Sequence, residues 1–103
     1  MTRILIADDH ELVRGAISTY LENASGFEVM QCADLKAALG LITSEGPFDL
    51  VLLDFTMPGM TLPEGLTKTI QANAPAPVAM LSGTATPDVA RRVLATGANA
   101  LDT

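Results

Sequence analysis

Residues 49–54 read DLVLLD, four apolar residues in a row with an acid at either end. A strand with one wet face alternates apolar and polar residues, and this run does not alternate. It suits a place where both faces are covered, as inside a parallel sheet. Parallel neighbours need long crossover connections, usually helical. The rest of the chain meets that requirement.

Short apolar runs also lie at Ile4–Ala7, Phe27–Cys32 and Pro77–Leu81, beside Asp49–Leu53, and a weaker fifth lies at Asn99–Leu101. Their length and β-branched content favour strands. The intervals between them carry helical spacing. In the first, Leu12, Ala16 and Tyr20 recur at four-residue intervals, as do Val13, Ile17 and Leu21. Together they build one apolar stripe that stops at Gly26. A second helix is expected over Leu35–Thr43, with Asp34 as N-cap and Gly46-Pro47 as its stop. A third runs from about Pro63 to Asn73, ahead of the breakers Pro75 and Pro77. A fourth opens at Thr86-Pro87-Asp88, with proline at the first helical position, and ends at Gly97. The expected fold class is α/β, a doubly wound five-stranded parallel sheet with helices on both faces. It forms one domain over residues 1–103. No helix follows the last strand, so the chain reads as shortened at its C-terminus, lacking the last helix.

Twelve acids against six bases give a formal net charge of −6. Such a chain is a poor non-specific binder of nucleic acid or of an anionic membrane. Any DNA contact is expected to need a further, C-terminal domain. Cys32 is the single cysteine, so no internal disulfide forms. Its neighbours Val29, Met30 and Ala33 mark it as a buried structural thiol. The N-terminal MTRILIADD reaches acids before an adequate apolar core forms, and no apolar run approaches membrane-helix length. A cytoplasmic location is expected.

The first run ends in ADDHE, where Asp8, Asp9 and Glu11 place three carboxylates within four positions. Like charges this close repel, and burial raises the cost. Either water solvates them or a cation sits among them. In an open parallel sheet, ligands bind beyond the carboxyl ends of the strands. Asp8 and Asp9 end the first run, Asp54 ends the third and Ser82 ends the fourth. Neighbouring strands bring them to one edge. The donors are hard oxygens without clustered His or Cys, which favours Mg2+ or Mn2+. One carboxylate can then accept a phosphoryl group, with a hydroxyl from Ser82 or Thr84 near it.

Each of these residues has a plainer reading. Asp8 and Asp9 could form a solvated turn, and Asp54 could cap a helix before FTMPG. Convergence of three acids at one edge favours the cation site over both. His10 reads as an exposed residue in the first turn of a helix, ahead of a ligand or proton shuttle. Ser82 also fits an ordinary loop hydroxyl or cap. Arg91 and Arg92 read as a solvated helix face, and Met57, Met60 and Met80 as packing and loop residues.

The segments ILIADDHELVRGAI, DLVLLDFTMPGM, PVAMLSG and VLATGANA together resemble the receiver domain of two-component response regulators. The likeness is greatest to the branch whose receivers precede a helix-turn-helix DNA-binding domain. It implies strand order 2-1-3-4-5 and Asp54 as the phosphoacceptor. It implies a metal held by Asp9, Asp54 and the backbone carbonyl of Thr56, with Asp8 acting through water. Ser82 matches the switch hydroxyl, and Met57-Pro58-Gly59 the loop after the acceptor. The implied cofactor is Mg2+, with Mn2+ as a substitute. The implied partner is a histidine kinase or phosphotransfer protein, and the implied role is a signalling phosphoacceptor, not an enzyme.

The sequence departs from that pattern at its end. The family lysine past the GA motif falls just beyond Thr103, Leu101 stands where an aromatic is common, and Asp102 charges a usually apolar strand. TLPEG is slightly longer than usual. A second reading follows, a non-phosphorylated interaction module that forms a homodimer or swapped oligomer. An Asp-nucleophile phosphatase fits less well, because Asp54 is followed by Phe55 and Thr56 and not by a second acid. A flavin site fits poorly too, since the first turn is acidic where a phosphate cradle needs free N–H groups.

Overall fold

The structure, a computed structural model, describes residues 2–54, 56–61 and 63–81. Strand β1 (Arg3–Ala7) leads to helix α1 (Glu11–Ser25), β2 (Glu28–Cys32), α2 (Leu35–Glu45), β3 (Leu50–Asp54), α3 (Glu64–Ala72) and β4 (Val78–Leu81). The strands lie in the order β2-β1-β3-β4, and every pair is parallel. This is the expected order as far as β4. The expected fifth strand at Asn99–Leu101 and the helix expected from Thr86 to Gly97 lie outside the described residues.

All five positions of β3 are buried, as an unalternating run requires. Its even-numbered side chains Leu50 and Leu52 join Ile4, Ile6, Ala79 and Leu81 against Ile17 and Leu21 of α1. Its odd-numbered Val51 and Leu53 join Leu5, Ala7, Val78 and Met80 against Leu35, Ala38 and Ile42 of α2. The sheet thus has a packed layer on each face. Each large apolar side chain fully buried there stabilises the fold by about 1.5–3 kcal/mol.

The stripe expected on α1 is narrower than its spacing implied. Val13, Ile17, Tyr20 and Leu21 pack on the sheet, but Leu12 is 89% exposed and Ala16 is exposed. The two four-residue ladders lie about 100° apart on the helix. One helix lying on a sheet turns one ladder inward, here Val13–Ile17–Leu21, with Ile17 and Leu21 buried and Val13 partly so. The helix stops where Gly26 takes φ 67° and donates its N–H to the Glu22 carbonyl at 3.0 Å. In α2, Asp34 caps as expected, accepting from the Ala37 N–H at 2.7 Å. Among the described residues, no helix is long and apolar enough to cross a membrane.

Candidate functional site

Strand register assembles the site. Ala7 pairs with Leu53 across β1 and β3, so Asp8 and Asp54 come level at the carboxyl edge of the sheet. Asp54 still belongs to β3, opposite Leu81, and the next helix among the described residues, α3, starts at Glu64 with Pro63 as its N-cap, so Asp54 caps no described helix. The Asp8 N–H is tied to the Cys32 carbonyl at 3.0 Å. Ligand atoms of Asp8, Asp9, His10 and Asp54 all lie within 4.8 Å of one another. Asp8 and Asp54 are only 2% and 1% exposed, whereas Asp9 and His10 open to solvent. Three carboxylates therefore converge, two of them away from water.

His10 departs from its expected place. It is the N-cap of α1, and its ring turns toward the acids. Asp8 Oδ1 accepts from the His10 backbone N–H at 2.8 Å and lies 2.8 Å from ring Nδ1. Nδ1 also lies 3.3 Å from Asp9 Oδ1 and 3.3 Å from Asp54 Oδ2. The hydrogen bond and charge of Asp8, with smaller help from Asp9 and Asp54, raise the imidazole pKa above its usual value. An imidazole directly after an acid doublet was the available signal, but nothing in the spacing shows which way the ring turns.

Asp54 is gripped from its own loop. Thr56 brings its N–H to Asp54 Oδ1 at 3.1 Å and its hydroxyl to Oδ1 and Oδ2 at 2.9 and 3.0 Å. The resemblance implies a role for the Thr56 carbonyl alone, and the hydroxyl adds a second hold on Asp54. The loop beyond it is anchored at two points. Met57 is buried in the α2-side core, and the Pro58 carbonyl accepts from the Leu35 N–H at 3.1 Å. Gly59 takes φ 84°, a left-handed turn that favours glycine. Arg14 braces the opposite loop by donating to the Asp8 carbonyl at 2.8 Å and to Gln31 at 3.0 Å.

The donor set of carboxylate oxygens suits a hard divalent cation. Ser82, Thr84, Arg91, Arg92, Leu101 and Asp102 lie outside the described residues. Cys32 is half-buried, not fully buried as expected. Burial, then the charge of Asp34, pushes its thiol up to about 11, so it is a weak nucleophile at neutral pH.

The sequence matches the response regulator receiver domain family over residues 4–101. The chain belongs to that family. Among relatives of this receiver, the glycerol metabolism activator of Pseudomonas putida is 51% identical over 61 residues, which are 58% of this chain and 28% of that protein. The response regulator UvrY of Escherichia coli is 33% identical over 82 residues, 80% of this chain and 38% of that protein. The receiver thus spans well under half the length of these curated relatives. Among solved structures, the receiver domain of the hybrid histidine kinase CckA superposes with TM-score 0.77 at 27% identity, covering 92% of this chain and 97% of that one. The response regulator TrrA of Thermotoga maritima, in complex with Mg2+-BeF, gives TM-score 0.74 at 25% identity and covers 98% and 84%.

Proposed function

We propose that Asp54 is the phosphoacceptor of this receiver. The observation that carries the reading is a buried Asp54 carboxylate at the end of β3, level with Asp8 and held by Thr56. In the transfer, an Asp54 oxygen attacks phosphorus of a phosphohistidine on a partner kinase or phosphotransfer protein. The new P–O bond forms as the P–N bond breaks, and the electron pair leaves on the partner imidazole. Thr56 fixes the angle of the carboxylate, so little rotation is left to lose at the moment of attack. Asp8 and Asp54 are buried while Asp9 and His10 are open, so a donor approaches from the α1 N-terminus, beside exposed Leu12.

Asp9, Asp54 and the Thr56 carbonyl would hold Mg2+, or Mn2+ in its place, with Asp8 acting through water. Such an ion neutralises charge on the transferred oxygens. The Mg2+-BeF complex of TrrA supports this reading. Ser82 then follows the phosphoryl group and changes the partner preference of the domain, a two-state element biased by new charge. The receiver works in the cytoplasm as a signalling module and turns over no external substrate. Output, including any DNA contact, belongs to a further domain.

The test is incubation with Mg2+ and a small acyl phosphate, read by intact mass beside Asp54→Asn. One added phosphoryl group on wild type alone is expected. Equal labelling of the variant would overturn the assignment, and no labelling of either would favour a non-phosphorylated interaction module.

A further inference from the structure

Arg14 is the fourth residue of α1. A cation that close to a helix N-terminus faces the positive end of the dipole, so helix formation does not favour it there. Its main chain is fixed, the N–H donating to the His10 carbonyl at 2.9 Å and the carbonyl accepting from the buried Ser18 hydroxyl at 2.9 Å. Helical side chains lean toward the N-terminus, so Arg14 reaches back over the turn between β1 and α1. There Nη1 donates to the Asp8 carbonyl at 2.8 Å and Nε to Gln31 Oε1 at 3.0 Å. Three carboxylates gather at the same edge, yet both of these bonds go to uncharged oxygens.

The strand ladder accounts for the first bond. Strand β1 is paired on both sides as far as Ala7. The Asp8 N–H still reaches the Cys32 carbonyl at 3.0 Å, but the Asp8 carbonyl lies past the last pair, and Arg14 supplies its donor. Asp8 is thereby held at both ends of its main chain. Gln31, exposed on β2, takes the other arm of the fork. A planar guanidinium bonded through two nitrogens has a fixed direction, which a single ammonium lacks. We propose that Arg14 is a positioning residue for phosphoryl transfer to Asp54: it holds the Asp8 peptide level with Asp54, and Gln31 aims it there. The inference rests on Asp54 as the phosphoacceptor. Shifting the Asp8 peptide moves the Asp8 and Asp9 carboxylates against Asp54, and a misplacement of about 1 Å can cost about 100-fold in rate.

The test is the rate at which a small acyl phosphate labels the whole chain at saturating Mg2+, followed by intact mass over a range of donor concentrations. The chains are wild type, Arg14→Ala, Arg14→Lys, Gln31→Ala and the double variant Arg14→Ala/Gln31→Ala. Arg14→Ala is expected to lower the maximal rate by about tenfold or more, with the half-saturating donor concentration changed by less than about threefold. Arg14→Lys keeps a donor for the Asp8 carbonyl but cannot fork, so it and Gln31→Ala fall between wild type and Arg14→Ala. The double variant equals Arg14→Ala, because Gln31 acts through the guanidinium. The 13C resonance of the Asp8 carbonyl moves in Arg14→Ala and returns most of the way in Arg14→Lys. Urea denaturation checks that each variant is folded under the assay conditions. An unchanged maximal rate in Arg14→Ala, a double variant well below it, or a loss that Arg14→Lys does not relieve would overturn the inference, the last marking Arg14 as packing alone. Should Arg14→Ala fail to fold, Gln31→Ala decides, and an unchanged maximal rate there overturns the inference. If wild type takes a phosphoryl group and the variants match it, only the Arg14 inference fails. If wild type takes none, the phosphoacceptor reading fails and the positioning role with it.

Discussion

The two ends of the same sheet treat charge in opposite ways. At the amino end, Arg3 gathers the acids. Its backbone N–H donates to Asp49 at 2.7 Å, its guanidinium meets Glu28 at 3.1 Å and the Glu45 carbonyl at 2.6 Å, and it lies over the Phe48 ring at 4.9 Å. Beside it, Asn73 accepts from the Phe48 N–H at 2.8 Å and donates to the Phe48 carbonyl at 3.1 Å. At the carboxyl end, three acids converge on one imidazole. Arg14 lies nearby, but its guanidinium goes to the carbonyl of Asp8 and to Gln31. This chain can neutralise its acids, and does so where they only close the fold. Among the described residues, the carboxylates at the other edge stay crowded, which supports the proposal that this place is completed from outside.

Substitutions at either end can break that contrast. The largest expected effect is Asp54→Asn, which abolishes phosphoryl labelling by intact mass, whereas Arg3→Ala leaves labelling unchanged. Next, Mg2+ at one hundred times its dissociation constant should stabilise wild type by about 2.7 kcal/mol. Thermal melts should show most of that gain lost in Asp54→Asn and kept in Arg3→Ala; equal gains would place the cation elsewhere. Asn73→Ala strands the buried polar groups of Phe48 and should cost about 1–3 kcal/mol in urea denaturation, with labelling retained. Arg3→Ala, whose ion pairs are partly exposed, should cost about 1 kcal/mol or less.

The smallest effect is the pH response with divalent ions chelated. The folded His10 pKa is raised above 6.5, so the fold favours the imidazolium. Its stabilising contribution is complete below pH 6.5 and fades as pH rises through the folded value. Chemical denaturation across that window should show the decline in wild type and a flatter profile in His10→Ala. An identical decline in both would detach the ring from the acids.

Most of the framework was readable from residue order. Unalternating runs give covered strands, and Asp34, Gly26 and Gly46 punctuate the helices as their chemistry requires. Asp8, Asp9 and Asp54 could be brought to one edge because parallel strands end together. What escaped depended on direction, not on position along the chain. The spacing of α1 marks two adjacent ladders, and only docking decides that Leu12 and Ala16 stay outside. Likewise, His10 and the Thr56 hydroxyl owe their places to backbone turns, the first at an N-cap and the second where the loop is anchored by Met57 and Pro58. Strand ends shifted by a residue, with Phe27 left out of β2 and Asp54 taken into β3.

The apolar run of β3 carries a hazard of its own. In an alternating strand, slipping by one residue turns every apolar side chain to the wrong face and is strongly penalised. Leu50–Leu53 are covered on both sides, so that penalty is weak here. The acids at its two ends supply the missing punctuation. A slip either way would draw Asp49 from Arg3 or carry Asp54 off the edge where Asp8 and Thr56 meet it. The residue proposed to receive the signal thus also sets the reading frame of the central strand.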